Sequence, residues 1–175
     1  MNTIKIGSQE WAGEDLRVIK FRNGEDIPLV EDSREWAELT TAAYCTTPEG
    51  NYLYNWYAVN DPRGLAPQGF HVPSDDEWTQ LTEFLGGKDV AGNELKTTDW
   101  DGTNSSGFSA LPGGYRKSSN GLFYDLGDNG NWWSSSPYFS YSWAWARHLN
   151  VENSHVYQNF YNFKNGFSVR CLQNL

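Results

Sequence analysis

The sequence contains only two cysteines, Cys45 and Cys171, which stand far apart. Neither a Cys-x-x-Cys motif nor a Cys/His cluster at zinc spacing occurs, so we expect no structural zinc site. Two interpretations of the cysteines are open. Either both are buried thiols, or they form a disulfide that holds the C-terminal strand against the early chain in an oxidising compartment.

The sequence also lacks a long hydrophobic run and an excess of basic residues. No apolar segment approaches the roughly 20 residues of a membrane-spanning helix, and residues 1–7 lack the pattern of a secretory leader. The 13 Lys and Arg oppose 22 Asp and Glu, and residues 1–117 carry the whole net charge of −9. Because basic side chains provide most of the affinity for nucleic acid, we expect neither a nucleic-acid partner nor membrane insertion.

Helix signals are confined to the first 100 residues. Residues 34–39 form a plausible helix with Ser33 as its N-cap, and Ser74 with Glu77 matches a capping box ahead of a second amphipathic segment. Short strand-like segments stand at 3–7 and 11–18, and beyond Trp100 aromatic residues alternate with Gly, Ser and Asn. The sequence therefore predicts one α+β domain over 1–175, with two early helices, small twisted antiparallel sheets and long loops.

No catalytic motif is recognisable around the three histidines. His71 precedes the second helix and is predicted to be a hydrogen-bonded structural residue, whereas His148 and His155 lie in the aromatic tail, where recognition is the expected role. Asp75 and Asp76 are explained by helix capping, with an active-site carboxylate pair as the alternative. We expect a protein that is not an enzyme.

One further group of carboxylates bears on cofactors. Asp99 and Asp101 flank Trp100 near Asn104, which would allow an oxygen-rich calcium loop, although the spacing matches no established calcium motif. We therefore expect no cofactor, with calcium as the alternative.

Residues 138–163 stand out by composition, because 16 of these 26 residues are Asn, Tyr, Ser, His or Phe. In 157–163 aromatic residues fall on both faces of an extended strand, so some of the rings are expected to face solvent, where aromatic patches mark contact surfaces. Tyr, Ser and Asn are also the residues that antibody paratopes favour. By contrast, we interpret four tryptophans as scaffold: Trp132, Trp133, Trp143 and Trp145.

Six ordered motifs resemble the major paralogous domain family of Fibrobacter, which is common in Bacteroides relatives. The likeness extends from Ile4 to Leu172, and the motifs lie at 11–17, 54–59, 64–74, 108–116, 132–136 and 166–171. That family is similar to the C-type lectin fold of formylglycine-generating enzymes, whose Leu-Pro-Thr-x-x-Glu-Trp motif resembles residues 72–78. Their oxidase chemistry depends on a closely spaced cysteine pair, which this chain lacks.

The tail resembles the variable region of proteins that are diversified by retroelements. There, mutagenesis of adenines spreads Asn codons to Asn, Tyr, Ser, His, Asp and Phe but never to Trp. This resemblance implies a ligand-binding face on a rigid C-type lectin-like sheet, with Trp143 and Trp145 as fixed positions between varied ones. The implied binding residues are Tyr138, Phe139, Tyr141, Ser142, His148, Asn150, Asn153, His155, Tyr157, Asn159, Phe160, Tyr161 and Phe163.

The resemblances imply a non-catalytic receptor-recognition protein of a phage tail or a bacterial surface. Its expected partner is a macromolecular ligand on a cell surface, either protein or glycan, and display in a homo-oligomer would raise a weak single-site affinity. Two alternatives stand beside it: a carbohydrate-binding or structural cell-surface domain, and an oxidase of the formylglycine-generating type.

Overall fold

The computed structural model describes residues 2–139 and 142–174 as short helices and several small antiparallel sheets, an α+β architecture. The strands are β1 (Thr3–Ile6), β2 (Gln9–Ala12), β3 (Tyr44–Thr46), β4 (Tyr52–Tyr54), β5 (Phe70–His71), β6 (Tyr115–Arg116), β7 (Phe123–Tyr124), β8 (Asn129–Pro137), β9 (Trp143–Asn150), β10 (Tyr157–Asn162) and β11 (Leu172–Gln173).

The two ends of the chain share one four-stranded sheet, in the order β1-β2-β11-β5. Gly7 makes the tight turn from β1 to β2 with φ +63°, a conformation that costs glycine little. The second N-terminal strand ends at Ala12, shorter than the segment 11–18 that was predicted. The C-terminal strand pairs with it, Leu172 opposite Trp11, so the first and last segments of the domain stabilise each other.

The helices are α1 (Ser33–Glu38), α2 (Trp56–Val59), α3 (Asp75–Phe84) and α4 (Ala91–Leu95), with a 3₁₀ turn at Thr98–Trp100. The two predicted helices are α1 and α3, and the capping box of Ser74 and Glu77 is confirmed. The predicted N-cap of α1 is wrong by one residue, since the Asp32 carboxylate accepts the Glu35 N–H at 2.8 Å. The prediction missed α2 and α4, because four or five residues are too few to show a helical period.

The three-stranded sheet β10-β9-β8 is anchored by Trp132 and Trp133, which are both fully buried. Adjacent strand residues point to opposite faces. Trp132 accordingly packs with Trp78 of α3 and Phe108, whereas Trp133 packs with Phe167 on the other side. The sheet is therefore held between two hydrophobic clusters.

None of the helices in the described part of the chain is long and apolar enough to cross a membrane.

Candidate ligand-binding surface

The pairing of β9 with β10 divides the predicted binding residues between two faces of the sheet. Trp145 lies opposite Phe160, and His148 lies opposite Tyr157. Directly opposed side chains share a face, and successive residues alternate. We call the side of Trp145 and Phe160 the front face, and the side of His148 and Tyr157 the back face. A prediction that treated these residues as one surface was too simple.

Five aromatic rings form an exposed cluster at one end of the front face, the front-face cluster. The Tyr138 and Phe160 rings stack with centroids 3.9 Å apart and 5° between their planes, and Trp145 meets both edge-on. The ring centroids of Trp143 and Phe160 are 5.9 Å apart, and those of Phe139 and Tyr138 are 5.4 Å apart. Phe139 is 99% exposed, Phe160 42% and Trp143 39%. This cluster is an apolar patch of the kind that marks contact surfaces.

Two of the predicted scaffold tryptophans therefore lie at the surface. Trp143 and Trp145 project from β9 on the front face, while Ala144 and Ala146 between them are fully buried. The interpretation as scaffold is confirmed for Trp132 and Trp133, which are buried, but it is wrong for Trp143 and Trp145, which belong to the front-face cluster. The signal was available in the sequence: in the pattern Trp-Ala-Trp-Ala the small residues mark the closely packed face, and the large ones mark the other.

The back face carries a second and more polar group of predicted residues. The Tyr157 ring lies 4.4 Å from the His155 ring and 5.5 Å from the His148 ring, and its hydroxyl accepts a hydrogen bond from Asn153 Nδ2 at 3.1 Å. Tyr161 meets Phe167 edge-on at 4.9 Å. Asn159, opposite Ala146, is exposed on the same face.

Burial changes the ionisation of two of these side chains. It lowers the pKa of His148, against the attraction of nearby Asp125, and it raises the pKa of Tyr161. His148 Nδ1 lies 2.9 Å from the Asn131 side-chain oxygen. Both residues therefore present neutral, hydrogen-bonding groups at neutral pH.

The remaining predicted residues have separate fates. Asn150 shapes the loop after β9, since its side chain accepts the Asn153 N–H at 3.2 Å. Ser142 is exposed just before β9, and Tyr141 lies outside the described residues. Phe163 contradicts the prediction: it is only 8% exposed and stacks on Trp56 with ring centroids 4.2 Å apart. The chain turns into the core after β10, where the Phe163 carbonyl accepts the Trp56 N–H at 2.8 Å.

A groove of about 450 Å³ lies where α3 approaches the start of β10. Arg147, which is almost fully buried there, donates to the Asp75 carboxylate, to the Asp75 carbonyl at 2.9 Å and to Thr79 Oγ1 at 3.0 Å. Gln158 of β10 donates to the same carboxylate at 2.7 Å. Asp75 thus holds β9 and β10 against α3, a role that the capping interpretation missed. Asp76 is exposed, whereas Asp75 is held in the ion pair with Arg147, so the two carboxylates have different surroundings.

The candidate catalytic groups have structural partners. His71 lies 2.7 Å from Asn174 Oδ1 and 3.0 Å from Glu77 Oε1, which confirms a hydrogen-bonded structural role. Cys45 and Cys171 are free thiols buried in separate hydrophobic clusters. Burial raises the pKa of Cys45 to about 11 and that of Cys171 to about 12. Two buried thiols are confirmed, and the disulfide alternative is wrong.

The side chains of the suspected calcium loop do not come together as a set of oxygen ligands. Asp99 and Asp101 are exposed, and the Asn104 side-chain oxygen accepts the Ser109 N–H at 2.8 Å. Within residues 2–139 and 142–174, no three His, Cys, Asp or Glu side chains come together as a site for a metal ion.

Comparison with known proteins identifies the chain at the level of its family. Neither the curated proteins nor the solved structures contain a significant match. The family model of the Fibrobacter succinogenes major domain matches residues 4–173, nearly the full length of the sequence. This chain therefore belongs to the Fibrobacter succinogenes major domain family.

Proposed function

We propose that this protein is a non-catalytic recognition module that binds a macromolecular ligand on a cell surface through β9 and β10. The observation that carries the proposal is the front-face cluster, whose rings are exposed on a sheet anchored by buried tryptophans. A ligand that contacts side chains on a stiff sheet has little backbone ordering to offset, so more of the contact energy appears as affinity.

The proposal includes a C-type lectin-like scaffold and diversification of residues 138–163 by a retroelement. Support comes from the side-chain chemistry of β10, which places Tyr157, Asn159 and Tyr161 on the back face and Phe160 on the front face. A genomic observation tests it: a reverse-transcriptase gene beside this gene, with a near-identical template repeat. Mismatches confined to template adenines are expected, and their absence would remove the diversification hypothesis.

The binding role is tested with the purified chain on a glycan array and against a displayed library of random linear peptides. Selected ligands are then measured with the triple variant Trp143→Ala, Tyr157→Ala, Phe160→Ala, which removes two exposed rings from the front face and one half-buried ring from the back face. The matched control is Phe84→Ala with Leu122→Ala, two exposed apolar residues outside this sheet.

We expect the triple variant to lose at least about tenfold in affinity, because interface aromatics commonly contribute more than 1 kcal/mol each. The control should bind like the wild type. If both variants bind equally well with intact folds, this surface is not the recognition surface. Binding confined to the glycan array would favour the carbohydrate-binding alternative, with exposed rings stacking on sugars.

A further inference from the structure

β10 forms the open edge of the three-stranded sheet, and its outward backbone groups can be assigned. Phe163 N–H donates to the Ser142 carbonyl at 2.8 Å, which continues the register of β10 with β9. Hydrogen-bonded and outward residues alternate along an edge strand. Gln158, Phe160 and Asn162 therefore direct their N–H groups away from β9. Val156, the outward residue just before them, donates to the Lys88 carbonyl at 2.7 Å, as this assignment requires.

The described residues provide no hydrogen-bond acceptor for those three N–H groups. The opposite side of the sheet differs, since β8 is covered by Ser168, which accepts the Trp133 N–H at 3.1 Å and donates to the Asn131 carbonyl at 3.0 Å. An open row of backbone donors and acceptors is a template for another strand.

β10 also lacks the devices that usually protect an edge. Charged side chains, proline and bulges discourage pairing, and β1, at the edge of the other large sheet, carries Lys5. β10 reads Tyr-Gln-Asn-Phe-Tyr-Asn, with no charge and no proline, and pairs with β9 over six residues without a shift in register. The unprotected edge therefore coincides with the segment that carries the predicted binding residues.

The two faces of the sheet meet at this edge. A ligand lying on the front face reaches Phe160 and the front-face cluster, whereas a ligand on the back face reaches Tyr157 and Tyr161. An extended strand paired with β10 would place successive side chains alternately on both faces. A ligand strand paired with β10 would therefore contact the front face and the back face at the same time.

We propose that the edge of β10 binds an extended peptide segment of its partner by strand addition. This inference rests on the proposed function and names the class of its ligand. Main-chain hydrogen bonds to Gln158, Phe160 and Asn162 provide affinity, and alternate side chains provide specificity. The front-face cluster selects apolar side chains at every second position.

The decisive variant pair is Gln158→Pro against Gln158→Ala. Both lose the side-chain contact with Asp75, but only proline removes the outward N–H, a place where an edge strand tolerates it. Peptides selected from the random linear library serve as probes. We expect Gln158→Ala to bind within about threefold of the wild type and Gln158→Pro to lose about a further tenfold.

A second measurement leaves the protein unchanged. Each selected peptide is N-methylated at one backbone position at a time and titrated against the wild-type chain. Strand addition predicts losses at alternate positions of one parity, because only every second N–H faces β10. This experiment also decides the matter if Gln158→Pro fails to fold, as thermal unfolding would reveal.

Three results would overturn strand addition. The first is equal affinity of the two Gln158 variants together with N-methylation losses that show no alternation. The second is glycan binding that depends on Phe160 but not on the Gln158 N–H, which leaves the proposed function intact. The third is a wild-type dimer, seen by sedimentation and abolished by Gln158→Pro, because a second copy would then occupy the edge. Binding of neither peptides nor glycans would overturn both proposals.

Discussion

Two pairs of tryptophans in one sheet have opposite roles. Trp132 and Trp133 are adjacent on β8 and enter the hydrophobic clusters on its two sides, whereas Trp143 and Trp145 stand two residues apart on β9 and share the front face. Composition does not distinguish the pairs. The adjacent pair on β8 is buried on both faces of the sheet, whereas the alternate pair on β9, with buried alanines between, leaves its large rings on one accessible face.

The front face itself shows the same contrast along its length. At one end α3 covers Arg147, whose guanidinium is held by Asp75 and Thr79. At the other end no helix covers the front-face cluster among the described residues, and Phe139 is almost fully exposed. One strand is thus buried under α3 at one end and exposed at the other.

The largest expected effect on stability comes from replacing a buried tryptophan of β8, compared with replacing an exposed tryptophan of β9. Trp133→Ala removes a buried ring whose Nε1 donates to the Tyr54 carbonyl at 2.8 Å, so we expect a loss of about 3–5 kcal/mol in the free energy of unfolding. Trp143→Ala should cost less than about 1 kcal/mol and weaken ligand binding instead. Denaturant unfolding and peptide titration of both variants make the comparison. Equal destabilisation would mean that Trp143 belongs to the core.

A smaller effect is expected at the covered end of the front face. Asp75→Ala leaves the almost fully buried Arg147 without its carboxylate, and breaking such a pair costs about 3 kcal/mol. Asp76→Ala, one residue away in the same helical turn but exposed, is the matched control and should change stability by about 0.5 kcal/mol or less. Thermal unfolding distinguishes them. Similar shifts for both would show that helix capping, and not the ion pair, is the role of Asp75.

The sequence was most informative where a local rule decides the structure. The Ser74–Glu77 capping box needs only four neighbouring residues, and the outward rings of β10 follow from the two-residue period of a strand. Some errors were local, such as the N-cap of α1, but the error at Phe163 concerns long-range packing. Phe163 continues the aromatic pattern of β10 but stacks on Trp56, more than 100 residues earlier in the chain.

Long-range geometry also explains what the sequence could not give about the site. Asp75 and Arg147 lie 72 positions apart, so no local pattern joins them. The division of the predicted binding residues between two faces depends on the register of β9 with β10, and the open edge depends on strand order. Neither the register nor the strand order can be inferred from the sequence of one strand. The composition of residues 138–163 was the basis on which the binding segment was predicted.

The smallest expected effect concerns the polar back face and its dependence on pH. Burial lowers the pKa of His148 below its ordinary value of 6.5, so the unfolded chain takes up a proton more readily than the folded one as the pH falls through 6.5. The contribution of neutral His148 to stability is therefore complete above pH 6.5 and declines below it. His148→Gln should unfold with a shallower decrease in stability between pH 7.5 and 5 than the wild type, whereas Gln80→Ala, an exposed substitution on α3, should follow the wild type. Thermal unfolding across that range measures the difference. Parallel curves for all three proteins would place His148 in contact with water in the folded state, and the back face would then be as open as the front-face cluster.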